Sequence, residues 1–155
     1  MIPTIDHLDV KILTILQAEG KITNLKLAEK INLCPAATLE RVRKLELQGF
    51  IQSYHAQLSP AKLSLQVNLW LEITLTASTK ENIQSFQQAI HKIPEVATCY
   101  HVMGHADFLL NIYTTDIAAY QQLLIHKLSA IPAIKSIQTM TVLSSCKDSG
   151  LPVVK

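Results

Sequence analysis

The nine residues VNLWLEITL put Val67, Leu69, Leu71, Ile73 and Leu75 on one side of an extended chain. That period of two marks a strand with one face buried, and a strand so patterned needs both neighbouring strands and a covering layer. The residues that follow supply both. KENIQSFQQAIHKI has Ile83, Phe86, Ile90 and Ile93 at helical spacing, with Pro94 beyond its end. The apolar runs VATCYHVM and FLLNIY, separated by the turn-prone Gly104-His105-Ala106-Asp107, predict a hairpin with a four-residue connection. A second amphipathic helix is expected over about 116 to 129, with Ile117, Tyr120, Leu124 and Leu128 inward, and a last strand over about 134 to 143.

The resulting order β-α-β-β-α-β predicts an α+β, ferredoxin-like domain, an antiparallel sheet with both helices on one face. The other face carries too much apolar surface for solvent, and the sheet of a second subunit is its simplest cover.

Ahead of this domain lie three short helical patterns. DHLDVKILTILQAEG places Leu8, Ile12, Ile15 and Leu16 at helical spacing, with Asp6 as N-cap and Gly20 as stop. TNLKLAEKIN has Thr23 as N-cap, Leu27, Ala28 and Ile31 on one face, and Asn32, which tolerates a left-handed backbone, at its end. Pro35 then stands in the first turn of a third helix with Thr38, Val42 and Leu45 at i, i+4, i+7, closed by Gly49. The second and third have the spacing of a helix-turn-helix, with Leu27, Ala28, Ile31, Leu33, Val42 and Leu45 between them. The strand-like FIQSYHAQL, residues 50 to 58, reads as a wing or hinge strand, and the turn signal Ser59-Pro60 opens a linker. The predicted organisation is a winged helix-turn-helix domain over 1–58 (helix pair about 24–45), a hinge over 59–66, and the ferredoxin-like domain over 67–155.

The formal charge of +2 does not by itself argue for nucleic acid. Its distribution does: Lys21, Lys26, Lys30, Arg41, Arg43 and Lys44 stand against Glu29, Glu40 and Glu46, a local excess of +3 on the helix pair. Cys34, Cys99 and Cys146 are odd in number and form no C-x-x-C pair, so neither a disulfide framework nor a zinc site is indicated. His101 and His105 have i, i+4 spacing, but on a strand and its turn they point to different places, and no metal is expected. No P-loop, G-x-G-x-x-G or G-x-S-x-G occurs, so no enzyme is indicated. No apolar run approaches a membrane span and MIPTIDHLDV lacks the pattern of a signal peptide; a cytoplasmic protein is expected.

Four stretches in order, LDVKILTILQAEGKITNLKLAEKINL, LERVRKLELQGFIQSYHAQLSP, MGHADFLLNIYTTDIAAY and IPAIKSIQTMTVLSSCK, resemble the leucine-responsive regulatory protein/AsnC family, the feast/famine transcription regulators of bacteria and archaea. The resemblance covers essentially the whole chain. It implies a winged DNA-binding domain joined to a ligand-sensing domain, and dimers that often assemble into octamers. Three positions depart from the family's pattern: Asn32 stands where Gly is common in the turn, Cys34 where Ser precedes the recognition helix, and Glu40 where Arg is frequent. Loss of the hydroxyl at Cys34 removes a helix cap.

The expected DNA-facing residues are Lys26, Pro35, Ala36, Ala37, Glu40, Arg41, Arg43 and Lys44. Ala36 and Ala37 let the backbone approach the major groove and touch a thymine methyl, while Arg41 and Lys44, on the outward side, reach a guanine edge or a phosphate. Arg43 faces a phosphate strand or the helix's own acids, and Glu40 accepts from a cytosine amino group or orients Arg41 or Lys44. For the effector, the family's G-x-x-D turn matches Met103, Gly104, His105, Ala106 and Asp107, an element that in the resemblance lines a pocket between subunits. The turn's amides suit a carboxylate, and Asp107 suits an amino group. By position in the resemblance, His101, Ile117, Thr139, Met140 and Thr141 join the wall, and the apolar lining of Met103, Ile117 and Met140 suits an amino acid such as Leu or Met. No cofactor is implied beyond that free amino acid. Partners are double-stranded DNA, the effector and further copies of the chain.

Two alternatives stand beside this reading. Siroheme decarboxylases resemble the same two-domain architecture, so the fold permits an enzyme with His101 or His105 on a tetrapyrrole, although the C-terminal half has no Arg for its propionates. The third reading is an amino-acid sensor without DNA binding.

Overall fold

The computed structural model describes residues 5–147 and 151–152. The chain divides into two compact units, Met1–Leu58 with Lys147–Lys155, and Ser59–Cys146.

The first unit is built from α1 (His7–Ala18), α2 (Asn24–Ile31) and α3 (Pro35–Leu47). Each begins and ends where its local chemistry dictates. Asp6 caps α1 in a reciprocal box with Asp9, and the Thr23 hydroxyl accepts from the Lys26 amide at the head of α2. Asn32 takes the left-handed conformation (φ 58°) at the end of α2, as its short polar side chain allows. Gly49 (φ 76°) ends α3: its amide donates to the Glu46 carbonyl and the Phe50 amide to that of Leu45, satisfying carbonyls the helix leaves open. Ile12, Leu27, Ile31 and Leu45 form the buried centre, with Val42, Phe50 and Ile51 packed against it.

Cys34 precedes α3 in extended conformation and its side chain makes no capping bond. Cys34→Ser restores that acceptor and is expected to raise the thermal stability of the first unit by up to about 1 kcal/mol. A thermal melt followed by circular dichroism checks this; an unchanged or lowered midpoint contradicts the uncapped geometry.

The expected strand over residues 50 to 58 is not formed. A strand exists by pairing, and among the described residues no strand pairs with that segment. Phe50 and Ile51 join the helical core instead, and the Tyr54 hydroxyl donates to Glu46 Oε1 at 2.8 Å. Burial, reinforced by that carboxylate, pushes the Tyr54 hydroxyl up to about 12.

In the second unit a short 3₁₀ turn (Ala61–Leu63) leads to β1 (Val67–Leu75), α4 (Lys80–Ile90), β2 (Val96–His101), β3 (Phe108–Thr114), α5 (Ile117–Leu123, wound on through Leu128) and β4 (Ile134–Thr141). The sheet runs β2-β3-β1-β4 with every neighbour antiparallel. Leu69, Leu71, Ile73 and Leu75 of β1 face one way with Phe108, Leu110 and Ile112 of β3. Against them pack Phe86 and Ile90 of α4 and Leu123 and Leu128 of α5. Both helices therefore cover one face, which is the ferredoxin-like arrangement. Val67 and Ile83 are only partly buried at its edge.

Two expectations need correction. The β2–β3 connection spans six residues, 102–107, between the strand ends; the bond from the Val102 amide to the Asp107 carbonyl closes the inner four, and Met103 stands fully in solvent. Ile117, expected inward, is 61% exposed, while Leu123 is buried. The cause is the π-helical winding of Leu124–Leu128, closed by the bond from the Ser129 amide to the Leu124 carbonyl. It shifts the helix phase so that Leu123 and Leu128, five apart, share the core face.

Candidate DNA-binding helix and effector turn

The first turn of α3 presents Pro35, Ala36 and Ala37 to solvent, and Glu40 and Lys44 continue the exposed stripe at i+4 spacing. Lys26 of α2 and Lys44 are exposed and carry no side-chain partner among the described residues. Arg43 pairs with Glu40 at 3.2 Å, so this acid serves Arg43 rather than Arg41 or Lys44. Lys30 pairs with Glu19 of α1. Beneath the exposed stripe Thr38 is fully buried and its hydroxyl returns a bond to the Cys34 carbonyl, while the Asn24 amide of α2 donates to the Pro35 carbonyl at 2.8 Å. Asn24 was not among the expected site residues.

Arg41 departs from its expected outward position. One guanidinium nitrogen, Nη1, donates to Asp6 Oδ2 at 2.8 Å and to Asp9 Oδ1 at 2.7 Å. Helical spacing explains the turn inward: Arg41 lies three residues after buried Thr38 and four before buried Leu45. The Asp9 amide, and after it Arg41, lower the Asp6 carboxyl to about 2 against the opposing effect of burial. Asp6 and then Asp9 push the Arg41 guanidinium up in turn. Neither end of this cluster changes charge near neutral pH.

In the second unit the expected effector residues divide between two faces. Thr139 and Thr141 stand opposite Leu71 and Leu69, on the helix side of the sheet, and the Thr139 hydroxyl pairs with that of Tyr120 at 2.5 Å. Met140 stands opposite Trp70 on the open side. His101 stacks on Phe108 at 4.6 Å between ring centroids. Met103, Gly104 and His105 project from the turn, Ala106 is buried, and Ile117 is exposed at the start of α5. His105 Nε2 lies 2.7 Å from Glu72 Oε2. A Cβ at Gly104 meets nothing within 4 Å, so the backbone there is open to a ligand.

Asp107 was expected to meet an amino group, yet both its oxygens are engaged by the chain: Oδ2 accepts from the Leu75 amide at 2.8 Å and Oδ1 from Ser78 Oγ at 2.6 Å. Those bonds, Ser78 first, hold its carboxyl below the usual range. Asp107 thus ties the turn to the end of β1. Ser78, like Asn24, gave no signal in the sequence, because its partner lies 29 residues away.

The open face of the sheet carries Trp70 and Tyr100, stacked with centroids 6.5 Å apart, together with Leu109 and Met140. Asn111, buried, donates to Asn68 Oδ1 at 2.6 Å and to the Leu69 carbonyl. Among the described residues no group of three or more His, Cys, Asp or Glu is arranged to hold a metal, and no helix is long and apolar enough to cross a membrane.

A helix-turn-helix with a bare, exposed first recognition turn, followed by a ferredoxin-like domain with an open glycine-bearing turn, defines a DNA-binding protein with a separate ligand-binding domain. Comparison with known proteins bears this out: residues 5–52 match the winged helix-turn-helix DNA-binding family and residues 69–152 the Lrp/AsnC ligand binding domain. The chain belongs to the Lrp/AsnC family of transcription regulators. It is 37% identical over 151 residues to the leucine-responsive regulatory proteins of Klebsiella pneumoniae and Escherichia coli K12, covering 97% of this chain and 92% of theirs. Among solved structures it is similar to a Neisseria meningitidis transcriptional regulator crystallised with L-Met (31% identity, TM-score 0.92, 97% of each chain). It is also similar to AsnC of E. coli (26% identity, TM-score 0.87, 96% of this chain and 99% of that one). Both matched domains are those of regulators, which favours that reading over the decarboxylase-like one.

Proposed function

We propose that this protein is a homo-oligomeric transcription regulator whose DNA binding is tuned by a free amino acid with an apolar side chain, Leu or Met. The observation that carries the effector class is the likeness to the Neisseria regulator solved with L-Met. The geometry is compatible with it. The exposed turn residues Met103, Gly104 and His105 offer backbone amides to a carboxylate, and Met103, Ile117 and Met140 offer exposed apolar surface to a side chain. These candidates, with His101, Asp107, Thr139 and Thr141, are divided between the turn and the two faces of the sheet, so the reading places the pocket where a second copy completes it. The open sheet face with Trp70, Tyr100, Leu109 and Met140 is the surface such a copy covers. On the DNA side, Ala36 and Ala37 approach the groove, Lys26 and Lys44 neutralise phosphates, and Pro35, Glu40 and Arg43 complete the edge of the contact.

An effector of this kind needs to favour one assembly or domain arrangement by only about 1–3 kcal/mol. A thermal-shift screen of the twenty amino acids, followed by mass measurement with and without the hit, tests effector and assembly together. A shift with Leu or Met and a mass of two or more chains is expected; a monomer indifferent to all twenty sinks the proposal.

A further inference from the structure

We propose that Arg41, Asp6 and Asp9 form a positioning clamp that sets how α3 is presented to DNA, and that Arg41 does not itself touch DNA; this rests on the reading above that α3 enters the groove. Three observations carry it. First, Arg41 lies on α3 directly after Glu40 of the exposed stripe, yet its Nη1 is bound at 2.7 and 2.8 Å by carboxylates of α1, 32 and 35 residues away. Second, those carboxylates are already fixed by each other's backbone: the Asp9 amide donates to Asp6 Oδ1 at 2.9 Å and the Asp6 amide to Asp9 Oδ2 at 3.1 Å. The receptor for Arg41 is therefore built into the cap of α1 before α3 docks. Third, two carboxylates against one guanidinium leave a net charge of −1, which repels a phosphate.

With the bond from Asn24 to the Pro35 carbonyl, the clamp holds α3 at two points, its first residue and its middle. The hydrophobic core beneath α3 is non-directional, whereas these hydrogen bonds fix both rotation and tilt. A recognition helix with alanines at its leading edge depends on such placement, because its backbone must come close for any contact to form.

The sign of one substitution separates this role from a direct contact. Asp6→Ser with Asp9→Asn keeps an acceptor at the N-cap and at the third position of α1 while removing both charges. If electrostatics alone governed binding, deleting two acids beside DNA would strengthen it. The clamp predicts the opposite. The experiment is fluorescence anisotropy of the full chain on a labelled duplex from its own upstream region, across a salt series, for wild type, Arg41→Ala, the Asp6/Asp9 variant and all three changes together. Arg41→Ala and the Asp6/Asp9 variant are each expected to weaken binding about tenfold with the salt slope unchanged. The triple variant is expected to be no weaker than either, since all three act as a unit. Circular dichroism verifies the helices; should the Asp6/Asp9 variant lose them, the salt slope of Arg41→Ala decides alone. Equal or tighter binding by a folded Asp6/Asp9 variant overturns the clamp, as does a salt slope reduced by about one in Arg41→Ala, the mark of a lost phosphate contact. A wild type that binds no duplex at low salt overturns the DNA reading of α3 and the clamp with it; binding by wild type with the Asp6/Asp9 variant unimpaired overturns the clamp only.

Discussion

Ala36→Glu together with Ala37→Glu is expected to lower affinity for duplex DNA by at least about 100-fold at physiological salt. Both alanines are exposed in the first turn of α3, where no larger side chain keeps the backbone from the groove, and two carboxylates there meet the phosphates at close range. The fold is not the cause of the loss. Neither side chain is part of the helical core, α3 has no acid in its first turn, and a glutamate near a helix N-terminus is mildly stabilising. Anisotropy on the upstream duplex, with a thermal melt alongside, makes the measurement. Binding within about threefold of wild type, a difference of less than 1 kcal/mol, shows that another surface of the first unit faces DNA.

The largest effect on stability is expected at Phe108. Its side chain is fully buried where β3 begins, 4.4 Å from the ring of Phe86 on α4 and 4.6 Å from that of His101 on β2. Truncation to alanine removes the ring joining strand, helix and turn, at a cost of about 3–5 kcal/mol. It also loosens the turn, since Asp107 precedes it and is bound to Leu75 and Ser78. The chain has one tryptophan, Trp70 on β1, so its fluorescence reports the second unit directly. In urea the Trp70 transition should move to much lower concentration and amino-acid-induced thermal shifts should vanish. A midpoint within experimental error of wild type contradicts the packing described here.

What could be read from the sequence was what is decided locally. The alternation of β1 comes from its own nine residues; Asp6, Thr23 and Gly49 mark helix ends through bonds spanning three to five positions, and Pro35 marks one by its fixed φ and missing N–H. The β-α-β-β-α-β order then follows from the sequence of such elements. The misreadings share a different origin. Residues 50 to 58 look like a strand by composition, but strand formation is settled by a partner that no local pattern contains. Arg41 and Asp107 look like free charges until carboxylates 32 and 35 positions away, or an amide and a hydroxyl 32 and 29 away, take them up. One feature of the site was legible as well: Thr139, Met140 and Thr141 are consecutive in a strand and therefore alternate between its two faces. The inward lean of Arg41 had a signal too, its three- and four-residue spacing from Thr38 and Leu45.

The wide turn at Leu124–Leu128 carries a consequence for how this helix tolerates change in length. Leu123 and Leu128 are five apart and both buried, while Ile125, His126 and Lys127 between them are exposed. Deleting one of those three leaves the two leucines four apart, which ordinary α-helical winding places on the same face. The segment thus behaves as an insertion of one residue, absorbed as a bulge on the solvent side. A homologue one residue shorter here keeps the same core, and the comparison of chain lengths at this point tells which family members carry the extra turn and which wind straight through.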